Sequence, residues 1–132
     1  MPQEQTARPV LIIEDDAEIR RFAGRVLELE GYRVLEAGSG EEGLSLARQT
    51  AGLGAVLLDL RLPGCDGWTV IAKLKADSRL KQVPVVVFSA SAAQPDRQRA
   101  AAAGAITYLV KPLDAARLRA AVSAGLGQGG NT

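Results

Sequence analysis

The stretch VLLDLRLPG, residues 56–64, places a single carboxylate, Asp59, at the end of an apolar run. The three residues before Asp59 are branched and apolar, which is typical of a strand buried on both faces of a parallel sheet. The Pro-Gly pair at 63–64 then favours a loop. Asp59 therefore stands where a buried strand ends, and in an open parallel sheet that edge is where ligands bind.

Other apolar runs precede and follow this one, and segments with helical periodicity separate them. The predicted strands are 9–14, 32–37, 54–60, 83–90 and 105–110. The predicted helices are 16–30, 39–50, 66–77, 95–103 and 114–124. Strands and helices that alternate in this way predict a parallel sheet with helices on both faces.

The second predicted strand differs from the others because it is charged. Arg33 and Glu36 interrupt its apolar pattern, whereas the first, third, fourth and fifth strands are strongly apolar. A charged strand favours an edge position. We therefore predict an α/β, flavodoxin-like, doubly wound (βα)5 fold, with a five-stranded parallel sheet of order 2-1-3-4-5 and helices on both faces.

Composition excludes several classes of protein. The chain has 132 residues, 47% hydrophobic and 23% charged, which is typical of one globular domain. A net charge of +1 argues against nucleic-acid binding through bulk electrostatics, and the absence of histidine excludes a Ser-His-Asp triad and a histidine-based zinc site. No apolar run approaches the ~20 residues of a membrane span. With a single cysteine, the chain is expected to be cytoplasmic.

Polar side chains gather at the carboxyl ends of the predicted strands. They are Glu14, Asp15 and Asp16 after the first strand, Asp59 at the third, Ser89 at the fourth and Lys111 after the fifth. Taken singly, each is more often a helix cap, a turn residue or a solvated charge, so the interpretation depends on their joint position. Carboxylates brought together raise one another's pKa unless a cation intervenes, and an all-oxygen cluster favours Mg²⁺. A carboxylate beside such a metal can accept a phosphoryl group, which a lysine and a hydroxyl can help to hold.

These motifs resemble the receiver domain of two-component response regulators, including the single-domain chemotaxis type. The matching stretches are LIIEDD (11–16), LLDLRLPGCDG (57–67), VVFSA (86–90) and GAITYLVKP (104–112). The resemblance covers residues 9–124. It leaves residues 1–8 as a disordered N-terminal tail and residues 125–132 as a flexible Gly-rich tail.

The resemblance implies a magnesium-dependent phosphoacceptor site. Asp59 matches the phosphoacceptor, and Glu14 and Asp15 match the acid pair that holds Mg²⁺ beside it. Asp15 is the expected direct ligand, whereas Glu14 is expected to act through water. The backbone carbonyl of Arg61, two residues after the phosphoacceptor, is the further protein ligand that the resemblance implies.

The resemblance also implies a conformational switch. Lys111 matches the lysine that binds a phosphoryl oxygen, and the bond from it to Pro112 is often cis in the family. Ser89 matches the hydroxyl that moves to the phosphoryl group, and Tyr108 matches the aromatic residue that swings inward when it does. The added charge, about −1.5 to −2, biases an existing equilibrium between two conformations. The expected readout surface comprises the last two predicted helices and the last strand.

Partners follow from the same resemblance. The donor histidine must belong to a histidine kinase or a histidine phosphotransfer protein, because this chain has no histidine. The readout surface is expected to bind a downstream protein that the sequence does not identify, and the chain is expected to be a monomer or a weak dimer through this surface. The protein is thus expected to be a signalling component, not an enzyme, with no direct contact to nucleic acid or membrane.

Three other interpretations stay open at this point. An aspartate-nucleophile phosphatase of the haloacid dehalogenase type also uses a strand-end Asp and Mg²⁺, but it requires a second Asp where this chain has Arg61. A flavodoxin-type cofactor binder shares the fold, but the acidic loop EDDAE (14–18) would repel a phosphate. The third is a receiver-fold scaffold that is never phosphorylated.

Overall fold

The computed structural model describes the backbone of residues 8–130 and the side chains of residues 8–126. Residues 1–7 of the predicted N-terminal tail lie outside the described part of the chain. Strands and helices alternate as the sequence predicts. The elements are β1 (Pro9–Ile13), α1 (Ala17–Leu29), β2 (Arg33–Ala37), α2 (Gly40–Gln49), β3 (Ala55–Asp59), α3 (Gly67–Ala76), β4 (Val85–Ser89), α4 (Gln94–Ala103), β5 (Thr107–Val110) and α5 (Ala115–Gly130).

The strands form one parallel sheet in the order β2-β1-β3-β4-β5. This order confirms the predicted fold class and places the charged strand β2 at an edge. In β1, β3 and β4 every residue is buried, whereas β2 is mostly half-buried or exposed. The phosphoacceptor candidate, Asp59, is the last residue of the central strand β3.

Helices cover both faces of the sheet, because successive strand residues point to opposite faces. On one face, residues such as Ile12, Leu57 and Phe88 pack beneath α1 and α5. On the other face, their neighbours, Ile13 and Leu58 among them, pack beneath α2, α3 and α4. The two cores fix the carboxyl ends of the strands at one edge of the molecule.

Short-range hydrogen bonds begin the helices where the sequence predicts them. The side chain of Asp16 accepts from the backbone N–H of Glu18 (2.9 Å) and Ile19 (3.1 Å) at the start of α1. At the start of α2, the Ser39 hydroxyl accepts from the N–H of Glu42 at 3.1 Å. The Asp16 cap matters for the site, because it begins α1 directly after the acid pair.

The last helix is longer than predicted. The sequence predicts the helix to end at 124, before a flexible Gly-rich tail at 125–132, yet α5 continues to Gly130. Residues 131–132 of that tail lie outside the described part of the chain. Leu126 packs against the core beneath α1 and α5, and a Cβ added to Gly54 would lie 2.7 Å from Leu126 Cδ2. This tertiary contact outweighs the weak local propensity. Even so, within residues 8–130 no helix combines the length and the apolar character needed to cross a membrane.

Candidate functional site

An open cleft of about 450 Å³ lies at the carboxyl ends of β1, β3 and β5. Its lining comprises Glu14, Asp15, Asp16, Ile19, Asp59, Arg61, Ala90, Ser91 and Lys111. The structure thus brings together, in one cleft, the acid pair, the phosphoacceptor candidate, Arg61 and the lysine that the sequence singles out. The other two predicted site residues, Ser89 and Tyr108, line neighbouring cavities instead.

Three carboxylates meet in this cleft. One oxygen each from Glu14, Asp15 and Asp59 lie within 4.8 Å of one another. Glu14 and Asp59 are buried, at 0% and 1% exposure, whereas Asp15 is exposed to solvent. The cluster therefore comprises one exposed carboxylate and two buried ones.

Asp59 is held by a hydrogen bond on each carboxylate oxygen. Its Oδ1 accepts from the backbone N–H of Arg61 at 2.9 Å, and its Oδ2 accepts from Lys111 Nζ at 3.1 Å. The next residue, Leu60, donates its backbone N–H to the carbonyl of Phe88 on β4 at 3.1 Å. These bonds fix the position of the carboxylate relative to two neighbouring strands.

The loop after Asp59 closes back on its own strand. The N–H of Gly67 donates to the carbonyl of Leu60 at 3.2 Å, and the side chain of Asp66 accepts from the N–H of Thr69 at 2.9 Å to begin α3. A Cβ added at Gly67 would lie 2.5 Å from the carbonyl oxygen of Asp59. Only glycine permits this close approach, which sets the shape of the loop beneath the site.

Lys111 lies between two of the carboxylates. Its Nζ is 2.9 Å from Glu14 Oε1 and 3.1 Å from Asp59 Oδ2. Burial would lower the pKa of Lys111, but the hydrogen bonds and charges of Glu14 and Asp59 outweigh it and raise that pKa above its usual value. The peptide bond from Lys111 to Pro112 is cis, as the resemblance implies.

Glu14 is the strongly perturbed acid of the site. Burial raises the pKa of Glu14 to about 7, and the charge of Asp59 adds to the rise, although hydrogen bonds from Asp16 and Lys111 oppose it. Its Oε2 accepts from the N–H of Asp16 at 2.9 Å. Its Oε1 lies 2.9 Å from Lys111 Nζ, in the ion pair described above. A buried carboxylate that lies among other carboxylates fits a hard cation or its bound water.

Arg20 is a site residue that the sequence pattern missed. It stands among charged residues of α1, next to Arg21, yet its side chain is only 22% exposed. The guanidinium donates to the backbone carbonyl of Glu14 at 2.7 Å and to Glu36 Oε1 at 3.2 Å. No local sequence pattern indicates this contact, because Arg20 lies on α1 and Glu36 lies on β2, 16 residues further along the chain.

Ser89 and Tyr108 each bond to Ser91, in the loop between β4 and α4 that borders the carboxylate cleft. Ser89 is 2% exposed, and its hydroxyl accepts from the N–H of Ser91 at 3.2 Å. The Tyr108 hydroxyl donates to the carbonyl of Ser91 at 2.8 Å. Ser89 also lines a cavity in which Arg99 stacks on Trp68, with the guanidinium carbon 3.9 Å from the ring centroid.

A doubly wound sheet with a buried aspartate, an acid pair and a lysine at its carboxyl edge defines a receiver-type phosphoacceptor fold. Residues 10–123 match the family model of the response regulator receiver domain, and the chain belongs to this family. Receiver domains of this family act in two-component signalling, generally as switches, and bind Mg²⁺ in an acidic site. The family match decides against the phosphatase and flavodoxin interpretations.

Similar proteins come from several bacteria. An uncharacterized transcriptional regulatory protein of Bacillus subtilis, YkoG, is 39% identical over 122 residues, which cover 92% of this chain and 52% of the relative. The chain spans about half the length of the curated relatives it matches.

Solved structures show the same fold. A putative response regulator from Chloroflexus aurantiacus superposes with a TM-score of 0.86 at 30% identity, covering 92% of this chain and 98% of that one. The receiver domain of a sensor histidine kinase from Pseudomonas aeruginosa has a TM-score of 0.83 at 29% identity and covers 92% and 98%. That structure holds a magnesium ion coordinated in its active-site cleft.

Proposed function

We propose that this domain accepts a phosphoryl group on Asp59 in a reaction that requires Mg²⁺. The observation that carries the proposal is the set of oxygens from Glu14, Asp15 and Asp59, within 4.8 Å of one another and beside the ammonium of Lys111. A buried nucleophilic carboxylate with a neighbouring metal site and a fixed cation is the arrangement that phosphoryl transfer needs.

The proposed protein ligands of Mg²⁺ are Asp15, Asp59 and the backbone carbonyl of Arg61, with Glu14 acting through water. A carboxylate oxygen of Glu14 lies within 4.8 Å of oxygens of Asp15 and Asp59, which supports its share in this set. Bound there, Mg²⁺ would neutralise charge on the phosphoryl oxygens as transfer proceeds. The Pseudomonas receiver domain with magnesium in its cleft supports the choice of metal by analogy.

In the transfer itself, a carboxylate oxygen of Asp59 forms a bond to phosphorus while the bond from phosphorus to the donor histidine nitrogen breaks. The imidazole leaves with that electron pair. Lys111 Nζ, now on Asp59 Oδ2, is placed to receive a phosphoryl oxygen, and the N–H of Arg61 orients the other oxygen of Asp59. Positioning and electrostatic stabilisation supply most of the catalysis, since the protein makes no other covalent bond.

The switch that we propose begins at Ser89. Its hydroxyl is buried at the end of β4 and would turn toward the phosphoryl oxygens. The loop that follows is bonded to Tyr108, so its movement would reach the surface of α4, β5 and α5. That surface is the proposed site for a downstream protein or a weak dimer.

The proposed upstream partner is a histidine kinase or a histidine phosphotransfer protein, because the chain has no histidine to serve as a donor. A cytoplasmic location is proposed with it, and the single cysteine fits a reducing compartment. The curated relatives include transcriptional regulators about twice as long. For this domain we propose a protein surface as the target, because a net charge of +1 gives little attraction to nucleic acid.

Intact mass after incubation with Mg²⁺ and a small-molecule phosphodonor tests the proposal. We expect one added phosphoryl group in the wild-type domain and none in Asp59→Asn. Asp66→Asn is the matched control, because Asp66 lies in the same loop and Asn also caps helices well. Uptake by Asp59→Asn would refute the assignment of the phosphoacceptor, and no uptake by the wild-type domain would favour the unphosphorylated scaffold.

A further inference from the structure

Arg20 joins three elements of the fold beside the carboxylate cleft. Its side chain leaves the first turns of α1, and its Nη1 donates to the carbonyl oxygen of Glu14 at 2.7 Å. Its Nε lies 3.2 Å from Glu36 Oε1 on β2. One guanidinium thus connects a helix, the residue that follows β1 and an edge strand.

These bonds complete the fixation of Glu14. The backbone N–H of Glu14 donates to the carbonyl of Ala37 at 3.1 Å, and its Oε2 accepts from the N–H of Asp16. Arg20 satisfies the remaining backbone group, the carbonyl. The N–H of Arg20 in turn donates to the carbonyl of Asp16 at 2.9 Å. The backbone bond is the ordinary first hydrogen bond of α1, so it is the Arg20 side chain, through the carbonyl of Glu14, that fixes the turn presenting the acid pair.

A neighbouring glycine, Gly24, leaves room for this contact. A Cβ on Gly24 would lie 3.1 Å from Glu36 Oε2, which is tighter than ordinary packing. Gly24, one helical turn after Arg20, thus lets the carboxylate of Glu36 approach α1. The planar guanidinium can bond the carbonyl and the carboxylate at once, which a lysine ammonium cannot do with the same geometry.

We propose that Arg20 is a positioning residue for the divalent metal. Through the carbonyl of Glu14, it holds the Glu14–Asp15 turn in the geometry that the metal requires, and Glu36 orients the guanidinium. Residues that fix metal ligands from outside the ligand set commonly change metal affinity by about 10–100-fold when replaced. The inference rests on the proposed metal site.

Charge alone predicts the opposite result, which makes the inference testable. Removing the cation Arg20 near the site would strengthen Mg²⁺ binding if only long-range electrostatics acted. Loss of positioning would weaken it. In Arg20→Lys the charge stays, so any weakening of binding there reports geometry.

The experiment is calorimetric Mg²⁺ titration of the folded domain and its variants. We expect Arg20→Lys and Arg20→Met to weaken Mg²⁺ binding about tenfold or more. Arg21→Met is the matched control, because Arg21 is the exposed neighbour on the same helix, and it should change the affinity less than twofold. Glu36→Gln should weaken binding in the wild-type background but not in Arg20→Lys, because the two residues act through one contact. Unchanged affinity in Arg20→Lys, or tighter binding in Arg20→Met, would overturn the inference.

A second measurement needs no metal. Hydrogen exchange at the Asp16 amide, which bonds to Glu14 Oε2, should become faster in Arg20→Lys and Glu36→Gln and stay unchanged in Arg21→Met. Glu36 is an exposed edge residue, so Glu36→Gln is expected to fold even if an Arg20 variant does not. Phosphoryl uptake by the wild-type domain, together with unaltered Mg²⁺ affinity and Asp16 exchange in these variants, would reject the role of Arg20 alone. Absence of uptake would reject the proposed function separately.

Discussion

The Tyr108 hydroxyl donates to the backbone carbonyl of Ser91 at 2.8 Å, which ties the edge strand β5 to the loop after Ser89. The Ser91 hydroxyl in turn donates to Asp96 Oδ2 at 2.6 Å, in the first turn of α4. Ser91 also donates its N–H to the Ser89 hydroxyl. Ser91 therefore contacts the buried Ser89 hydroxyl, α4 and Tyr108. A movement of Ser89 would be transmitted through it to α4 and β5.

Tyr108→Phe should remove one hydrogen bond and leave the carboxylate cleft unchanged. We expect the free energy of unfolding to fall by about 1 kcal/mol in urea titrations, because one neutral hydrogen bond is lost. Phosphoryl uptake at Asp59 should persist, since Tyr108 does not line the carboxylate cleft. Tyr32→Phe also removes a tyrosine hydroxyl, but on the other face of the sheet, so it is the control for the substitution itself. Loss of uptake in Tyr108→Phe as complete as in Asp59→Asn would contradict this separation.

Lys111→Met should strengthen Mg²⁺ binding while it impairs phosphoryl uptake. The ammonium contacts Glu14 and Asp59 at 2.9 and 3.1 Å, so it competes with the metal for the same oxygens. Without it, we expect Mg²⁺ affinity to rise roughly tenfold or more, because like-charge repulsion in the cleft is removed. Calorimetric titration measures this, with the exposed Lys73→Met as control. Weaker Mg²⁺ binding in Lys111→Met would show that the lysine organises the cleft rather than competing for it.

Glu14 should make the stability of the Mg²⁺-free domain depend on pH. Because burial raises the pKa of Glu14 from 4.5 to about 7, the folded state keeps a proton that the unfolded chain has released between these values. The folded state binds more protons there, so the free energy of unfolding falls as pH rises through this window.

Glu14→Gln should reduce this fall by a few kcal/mol, because glutamine does not titrate. Urea titrations at about pH 5 and about pH 7.5, in chelator, measure the difference between the two values. The exposed Asp15→Asn is the control and should leave the fall in place. An identical pH dependence in Glu14→Gln and the wild-type domain would place the titrating group elsewhere.

Gly67→Ala should displace the phosphoacceptor. The added Cβ would lie 2.5 Å from both the carbonyl oxygen of Asp59 and Cα of Leu60, and backbone atoms cannot give way cheaply. We expect a loss of about 1–3 kcal/mol in the free energy of unfolding and slower phosphoryl uptake. In Gly38→Ala the nearest atom would lie at 3.5 Å, an ordinary contact, so both quantities should stay nearly unchanged. Full uptake in Gly67→Ala would mean that the loop tolerates the shift.

The sequence predicted the sheet order and the carboxylate cluster because both depend on short-range pattern. Buried parallel strands are continuously apolar, and their ends mark the edge where Asp59 and Lys111 meet. The contact of Arg20 with Glu36 could not be predicted, because it joins α1 to β2 and no local pattern in the sequence encodes that pairing. Only the assembled fold shows that its side chain reaches β2.

The end of the last helix is a further difference, and it too depends on tertiary contacts. Glycine content predicted an end of the last helix at 124, but the packing of Leu126 extends it. Ser89 is the last residue of β4, as the strand pattern predicts, and its hydroxyl accepts from the N–H of Ser91 beside the adjoining cavity. Side-chain direction at a strand end depends on the loop beyond it, and the strand pattern does not encode that loop.

The stacking of Arg99 on Trp68 gives the domain an intrinsic optical reporter. Trp68 is the only tryptophan of the chain, so all indole emission comes from the junction of α3 and α4. A displacement of α4 would change the cation above the ring and with it the intensity or wavelength of that emission. A displacement of α4 can therefore be followed in real time by the tryptophan fluorescence of unlabelled protein.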